Sequence, residues 1–210
     1  EYFSYLDETD EAAKQNGDSY LDGYFAVKGK VDRGEPDFKM QEIDDLRAFG
    51  LYHPYEDAER LRLLNRNHQT EEGLAIADTL LEQYKEDSYV CLYVGETYWE
   101  VGRIEDAYVL WQEILTKHPD HYAAKFNIAR YLYTKEDYVK ARELVMELFE
   151  ISRQDDQAEK LLTDINEALI KEYQSTTDQT DKEQQMKLAW CLFQNSRYDE
   201  TLAVVEALQP

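Results

Sequence analysis

Apolar residues recur at helical spacing in two stretches of the chain that lie 34 residues apart. The first stripe comprises Ile104, Ala107, Leu110, Trp111, Ile114 and Leu115, and the second comprises Tyr138, Ala141, Leu144, Val145, Leu148 and Phe149. Each stripe predicts an amphipathic helix. The helices before the stripes also repeat, with Val94, Gly95, Tyr98 and Trp99 followed by Ile128, Ala129, Leu132 and Tyr133. A repeat of this length predicts stacked helix pairs, because one pair alone cannot bury its apolar face.

Residues 88–121 form the clearest unit of this repeat. Its characteristic positions are Gly95 and Tyr98 in the first helix, Gly102 in the turn, and Ala107, Trp111 and Pro119 in and after the second helix. On these residues the unit resembles the tetratricopeptide repeat family. Cys91 stands where the family prefers Trp, and Ile114 where it prefers Ala, but both remain apolar. The resemblance implies an all-α fold, a right-handed α-α superhelix of helical hairpins with a concave groove.

The register of the repeat predicts how the chain is divided. Three repeats are expected within residues 54–155, at 54–87, 88–121 and 122–155. The first of them is weaker, because Arg60 falls at an apolar position of its first helix. Apolar residues restore the pattern in residues 182–210, which predicts a further repeat. Residues 156–181 are interpreted as an inserted long helix followed by a polar loop, Ser175 to Asp181.

The first 53 residues do not follow the 34-residue pattern. Their apolar clusters are Tyr2, Phe3, Tyr5 and Leu6, then Tyr20, Leu21, Tyr24, Phe25 and Val27, then Met40, Ile43, Leu46 and Phe49. The last cluster is amphipathic, Gly34–Pro36 predicts a break between helices, and Asn16-Gly17-Asp18 predicts a turn. We expect an N-terminal helical cap over residues 1–53, since an open end of the stack would expose apolar surface. A remnant of a neighbouring domain is the alternative.

Charge narrows the classes of partner. The 210 residues carry 45 acidic and 23 basic side chains, a net charge of −22. This field repels phosphate backbones and anionic lipid surfaces, so we expect neither nucleic acid nor a membrane as partner. No stretch approaches the roughly 20 apolar residues of a membrane span. Another protein or a peptide, basic or apolar, is the expected partner.

Two cysteines, Cys91 and Cys191, lie 100 residues apart on the apolar sides of predicted helices. This spacing excludes a disulfide framework and favours buried free thiols, which suits a reducing, cytoplasmic location. The absence of an initial Met indicates a fragment or a processed form.

The sequence offers three candidates for a catalytic, cochaperone or metal site, and it favours none of them. His118, Asp120 and His121 could suggest a metal site, and His118-Pro119-Asp120 matches the tripeptide of J-domain cochaperones. Pro119, however, falls on the family's inter-repeat proline, and closed metal sites normally need four ligands. Acidic pairs such as Glu105-Asp106 could suggest carboxylate catalysis or cation binding, but they precede second helices, where helix dipoles favour negative charge. We therefore expect no catalytic residue, no metal ligand and no cofactor.

In the tetratricopeptide repeat family the first helix of each pair lines the groove, which assigns a set of candidate residues by resemblance. These residues are Tyr89, Leu92, Glu96, Trp99, Phe126, Arg130, Tyr133 and Trp190, with Ala123, Met186 and Phe193 beside them. Tyr133 and Phe193 suit packing between repeats equally well. The family's carboxylate clamp is rejected: Asn127 matches it, but Leu92 and Glu96 stand where Lys and Asn are required.

Together these features predict a non-catalytic scaffold whose groove binds a peptide or helix of another protein. An accessory region that positions a larger enzyme or a chaperone cofactor is the alternative, since the chain begins without Met and ends at Pro210, where a further repeat could start. Self-association through the ends of the repeat stack is a third hypothesis.

Overall fold

The computed structural model describes residues 11–34, 39–49, 52–152, 154–176 and 181–208. All regular secondary structure within these ranges is helical. The predicted apolar cluster Tyr2, Phe3, Tyr5 and Leu6 lies outside the described residues. The chain divides into two compact units, residues 1–110 and residues 111–210. The domain boundaries predicted from the repeat register stay predictions.

The first unit begins with two helices and a short 3₁₀ helix, followed by helical hairpins. Its elements are α1 (Glu11–Arg33), α2 (Met40–Asp44), the 3₁₀ helix Asp45–Phe49, α3 (Pro54–Arg66), α4 (Thr70–Tyr84) and α5 (Ser88–Glu100). Helix α6 (Ile104–Lys117) begins in this unit and ends in the second. Helices α3 and α4 pack against each other and both contact α5.

The predicted turn at Asn16-Gly17-Asp18 is wrong, because these residues lie inside α1. Tyr20, Tyr24, Val27 and Val31 follow on one face of that helix and are all buried. A glycine in a helix interior costs about 1 kcal/mol relative to alanine. Burying four large side chains outweighs that cost, since each contributes about 1.5–3 kcal/mol.

Helix α3 joins α1 and α2 through buried polar contacts. Glu56 and Glu59 are fully buried, and the Tyr20 hydroxyl donates a hydrogen bond of 2.5 Å to Oε1 of Glu56. Arg60, which weakened the prediction of this helix, is 9% exposed and forms a 2.6 Å ion pair with Asp44 of α2. The polar residues of α3 therefore replace apolar packing with paired contacts to the preceding segment.

The second unit contains two further hairpins with one long helix between them. Its helices are α7 (Tyr122–Thr134), α8 (Tyr138–Ile151), α9 (Asp156–Thr176), α10 (Lys182–Gln194) and α11 (Tyr198–Ala207). Helix α9 packs against both α8 and α10, and α10 packs against α11. Their shared core includes Ala141, Val145 and Leu148 of α8 with Ile165 and Leu169 of α9.

The helix starts show the 34-residue period directly. Residues 53, 87, 121 and 155 immediately precede α3, α5, α7 and α9. Each accepts backbone N–H hydrogen bonds from the first turn of its helix, through the imidazole of His53 or His121 or the carboxylate of Asp87 or Asp155. These N-caps satisfy amides that would otherwise lack partners. Helix α9, interpreted from sequence as inserted, thus begins in register with the repeats.

The hairpin turns repeat as well. His68, Gly102 and Glu136, spaced by 34 residues, and Ser196 all have positive φ, between 57° and 83°. In each turn the next amide donates to a carbonyl five residues back, as from Arg103 to Tyr98 at 2.8 Å. This is the Schellman arrangement that ends a helix. The left-handed conformation favours glycine, yet only one of these four turns has it.

We expect Gly102→Ala to lower the free energy of unfolding by about 1 kcal/mol, because an L-residue must hold the left-handed conformation at a φ of 83°. No atom lies within 4 Å of the added Cβ, so the loss would come from the backbone alone. The matched variant Gly73→Ala lies inside α4, where the new Cβ meets Thr97 Cγ2 at 3.4 Å, an ordinary contact. It should gain up to about 1 kcal/mol from helix propensity. Urea unfolding measures the free energy of unfolding of both variants. Changes of the same sign in the two would contradict the left-handed turn at Gly102 as the cause.

The buried carboxyl of Glu56 should make stability depend on pH. Burial raises the pKa of Glu56, against opposing effects from the Tyr20 hydroxyl and the His53 amide. The stabilisation is therefore full below the ordinary pKa of 4.5 and is lost as pH rises through the higher folded-state pKa. We expect Glu56→Gln to remove this loss. As pH rises from acid to neutral, the free energy of unfolding of the variant should therefore increase relative to that of the parent. Glu82→Gln, at an exposed position of α4, is the control. Parallel pH profiles for Glu56→Gln and the parent would contradict the expectation.

Candidate binding surface

Large apolar side chains are exposed along one ridge of α10. Met186, Trp190 and Phe193 are spaced by four and three residues and are 61%, 53% and 51% exposed. The rings of Trp190 and Phe193 stack with centroids 5.9 Å apart. Tyr198 and Leu202 of α11 add further exposed apolar surface. Contiguous exposure of this kind marks interaction surfaces in folded proteins.

The ridge borders a cavity of about 690 Å³ in the second unit. We call this cavity the α8–α11 groove, and its lining is Val139, Arg142, Glu143, Leu169, Tyr173, Glu183, Met186, Lys187, Ala189, Trp190, Cys191, Phe193, Thr201 and Val205. Its volume falls within the range of natural ligand pockets, about 300–1,000 Å³. The lining is mainly apolar, with a few charged side chains, which suits the binding of apolar anchors from another molecule.

A polar clasp fixes one wall of the groove. Arg142 of α8 donates from Nε to Oδ1 of Asn166 at 3.0 Å and from Nη2 to Oε1 of Gln194 at 2.5 Å. Asn166 is fully buried and donates to Oδ1 of Asn195 at 3.1 Å. One guanidinium thus joins α8, α9 and α10, so the groove does not depend on apolar contacts alone.

Three glutamates continue from the groove along α8. Glu143, Glu147 and Glu150 are exposed and spaced by four and three residues, and we call them the acidic edge. A second cavity of about 480 Å³ is lined by all three together with Arg142, Met146 and Phe149. Because Arg142 and Glu143 line both cavities, the acidic edge and the α8–α11 groove form one continuous surface.

The predicted groove residues of the second unit have different environments. Trp190 lines the groove, and so does Phe193, for which core packing was the alternative. Phe126 and Tyr133 are half-buried and pack against the core of the unit. Arg130 is half-buried on the same helix, α7. The structure therefore brings Trp190 to the groove and leaves Phe126, Arg130 and Tyr133 outside its lining.

The predicted residues of the first unit lie on α5. The Tyr89 hydroxyl donates to the buried carboxylate of Glu59, and its ring lies 4.5 Å from that of Tyr55. Burial raises the pKa of Tyr89 far above its usual range. Leu92 is 4% exposed and belongs to the core, whereas Glu96 and Trp99 are half-buried. A binding role for these four residues stays a prediction.

Sequence reasoning missed the groove residues on α8, α9 and α11. Resemblance assigns the groove to first helices, so it does not predict Val139, Arg142 or Tyr173. Val139 carries a local sign in the sequence, since an apolar residue there lies off the predicted stripe of α8. In the structure its side chain is 51% exposed. Arg142 carries no such sign in the sequence, because its partners lie 24 and 52 residues further along the chain.

The three residues that could suggest a metal site, His118, Asp120 and His121, lie in a turn and at the start of a helix. His121 accepts the Ala124 amide at 3.3 Å as the N-cap of α7, and burial lowers the pKa of His121. Within the described ranges, no group of three or more His, Cys, Asp or Glu side chains is placed to hold a metal ion. No helix in the described part of the chain has the length and apolar character needed to cross a membrane.

Comparisons with known proteins identify the fold, and one part of the chain matches a family model. The family model described as tetratricopeptide repeat matches residues 98–165. A comparison with curated proteins finds no match. The chain resembles TTC0263, a thermophilic tetratricopeptide repeat protein of Thermus thermophilus, at 12% sequence identity over 90% of this chain and 98% of that one, with a TM-score of 0.58. It also resembles MamA of MSR-1, at 10% identity over 87% and 96% of the two chains, with a TM-score of 0.56.

These structural likenesses confirm the predicted all-α fold of helical hairpins. The match over residues 98–165 covers α6, α7 and α8, where the N-caps and turns recur at the 34-residue period. Residues 98–165 therefore match the tetratricopeptide repeat family, in agreement with the resemblance seen in the sequence.

Proposed function

We propose that the protein is a non-catalytic scaffold for protein–protein interaction, and that the α8–α11 groove binds a peptide or helix of its partner. Tetratricopeptide repeat proteins bind other proteins and are generally non-catalytic, which supports the coarse assignment. The exposed ridge of Met186, Trp190 and Phe193 is the observation that supports the groove as the binding surface.

The ridge has the chemistry of an interface core. Tryptophan is enriched among the residues that dominate binding energies, and methionine and phenylalanine are enriched at interface centres. Leaving these side chains in water costs about 25 cal/mol per Å² of apolar surface that a partner could cover. A partner that buries Trp190 and Phe193 would recover part of that free energy.

The fixed wall of the groove supports the same proposal. Arg142 is held by Asn166 and Gln194, so a ligand meets a surface that is already ordered. Preformed surfaces bind more tightly because less conformational entropy is lost on association. The groove volume of about 690 Å³ is also large enough for several apolar side chains at once, as in peptide recognition by helical proteins.

The test uses synthetic amphipathic peptides of about five helical turns with one apolar stripe. The polar positions carry Lys, Gln or Glu in three versions, and fluorescence anisotropy of labelled peptide measures affinity. At least one version should bind, and Trp190→Ala with Phe193→Ala should weaken it by about 2 kcal/mol or more. Both side chains are at least half exposed, so folding should persist, which circular dichroism checks.

Phe25→Ala is the matched control. Phe25 lies on α1 in the other unit, is 53% exposed like Trp190, and also contacts an aromatic neighbour, Tyr24. This variant should leave the affinity unchanged. Failure of all three peptides to bind, or equal losses in the control and groove variants, would overturn the proposed function.

A further inference from the structure

We infer that the partner segment is a basic amphipathic helix, whose apolar stripe enters the α8–α11 groove while its Lys or Arg side chains meet the acidic edge. This inference rests on the proposed function and specifies the chemistry of the ligand. Two features of the surface carry it: the helical spacing of the ridge and the charge distribution beside the groove.

The shape of the groove favours a helix as ligand. Met186, Trp190 and Phe193 lie at positions i, i+4 and i+7 of α10, and such rows of side chains pack into the grooves of a facing helix. An extended peptide would gain its main-chain hydrogen bonds from a sheet edge. The described ranges contain helices and no strand that could offer one.

The basic side chains at this surface are already engaged with the protein itself. Arg142 is held by the clasp, and Lys187 pairs with Glu183 at 2.7 Å. Lys125 pairs with Glu147 at 2.7 Å, and its side chain is only 10% exposed. The hydrogen bonds of Arg142 and the ion pairs of Lys125 and Lys187 therefore leave the three glutamates of the acidic edge outnumbering the unpaired cations beside them.

The acidic edge instead faces outward. Glu143 and Glu150 are exposed, and half of the Glu147 side chain remains exposed despite its ion pair. They follow α8 from the groove at spacings of four and three residues, so a helix lying along the groove could bring basic residues at a similar spacing beside them. Complementary charge of this kind speeds association and sets specificity.

The same charges argue against a second copy of the chain as occupant. Each copy carries a net charge of −22, so two copies repel each other as they approach. Like charges brought together at an interface suppress that pairing. The occupant is therefore expected to differ from this protein in charge.

The three peptides separate this inference from the proposed function. With identical apolar stripes, the Lys version should bind the full chain about 10-fold or more tightly than the Glu version, with the Gln version between them. Raising the salt concentration from about 0.05 to about 0.5 M should shrink this difference several-fold, because it screens exposed charges. Equal affinities for the three peptides would overturn the basic-helix inference and leave the proposed function intact.

Charge reversal tests whether the acidic edge causes the preference for the Lys peptide. Glu143→Lys with Glu150→Lys should weaken the Lys peptide several-fold and strengthen the Glu peptide. Glu113→Lys with Asp164→Lys changes the net charge by the same amount at exposed positions that line neither cavity, and should change both affinities far less. Equal effects from the two double variants would overturn a role for the acidic edge. A dimer that light scattering detects and that Trp190→Ala abolishes would overturn the basic-helix inference in favour of self-association.

Discussion

Close contact between helices at small side chains is the constraint on which the structure depends. Residues 73, 107 and 141 occupy the same position in α4, α6 and α8, and they are Gly, Ala and Ala. Ala107 and Ala141 are fully buried. At Gly73 an added Cβ would meet Thr97 of α5 and Leu64 of α3, so this position of α4 touches two neighbouring helices at once. A large side chain there would push the helices apart and expose the apolar stripes that each buries.

The repeating elements were predictable because each is specified by residues that lie close together in the sequence. Stripes such as Ala107, Leu110 and Trp111 have the period of a helix, and Gly102 occupies a turn that requires positive φ. Helix α3 was harder to predict, because Glu56 stands where Val90, Ala124 and Ala158 stand in the other first helices, and all four positions are fully buried. Its partner, Tyr20, lies 36 residues earlier, and no local pattern connects the two.

The candidate surface shows a similar division. The family resemblance assigned Trp190 to a groove and left Phe193 open between groove and packing, and both line the α8–α11 groove. Their role in binding stays a prediction. The wall of the groove was not identifiable from sequence, because Arg142 reaches Gln194 across 52 residues. Resemblance also placed candidate residues by analogy with first helices, whereas the groove is lined by α8 and α11 as well as by α9 and α10. Which helices border a groove depends on how the helices pack against one another, and the 34-residue period alone does not determine that packing.

The two buried thiols supply a chemical reporter for each compact unit. Cys91 lies in the first unit, where its Sγ is 3.1 Å from the carbonyl oxygen of Lys85, and Cys191 lies in the second. Both are 3% exposed, and burial raises the pKa of Cys191. Because both thiols are buried, an alkylating reagent reaches either one only when its own surroundings open. The reactive form is the thiolate, which burial also disfavours. The modification rates of the two residues therefore record the opening of each half separately, and shielding of Cys191, which lines the groove, would report occupancy without any added label.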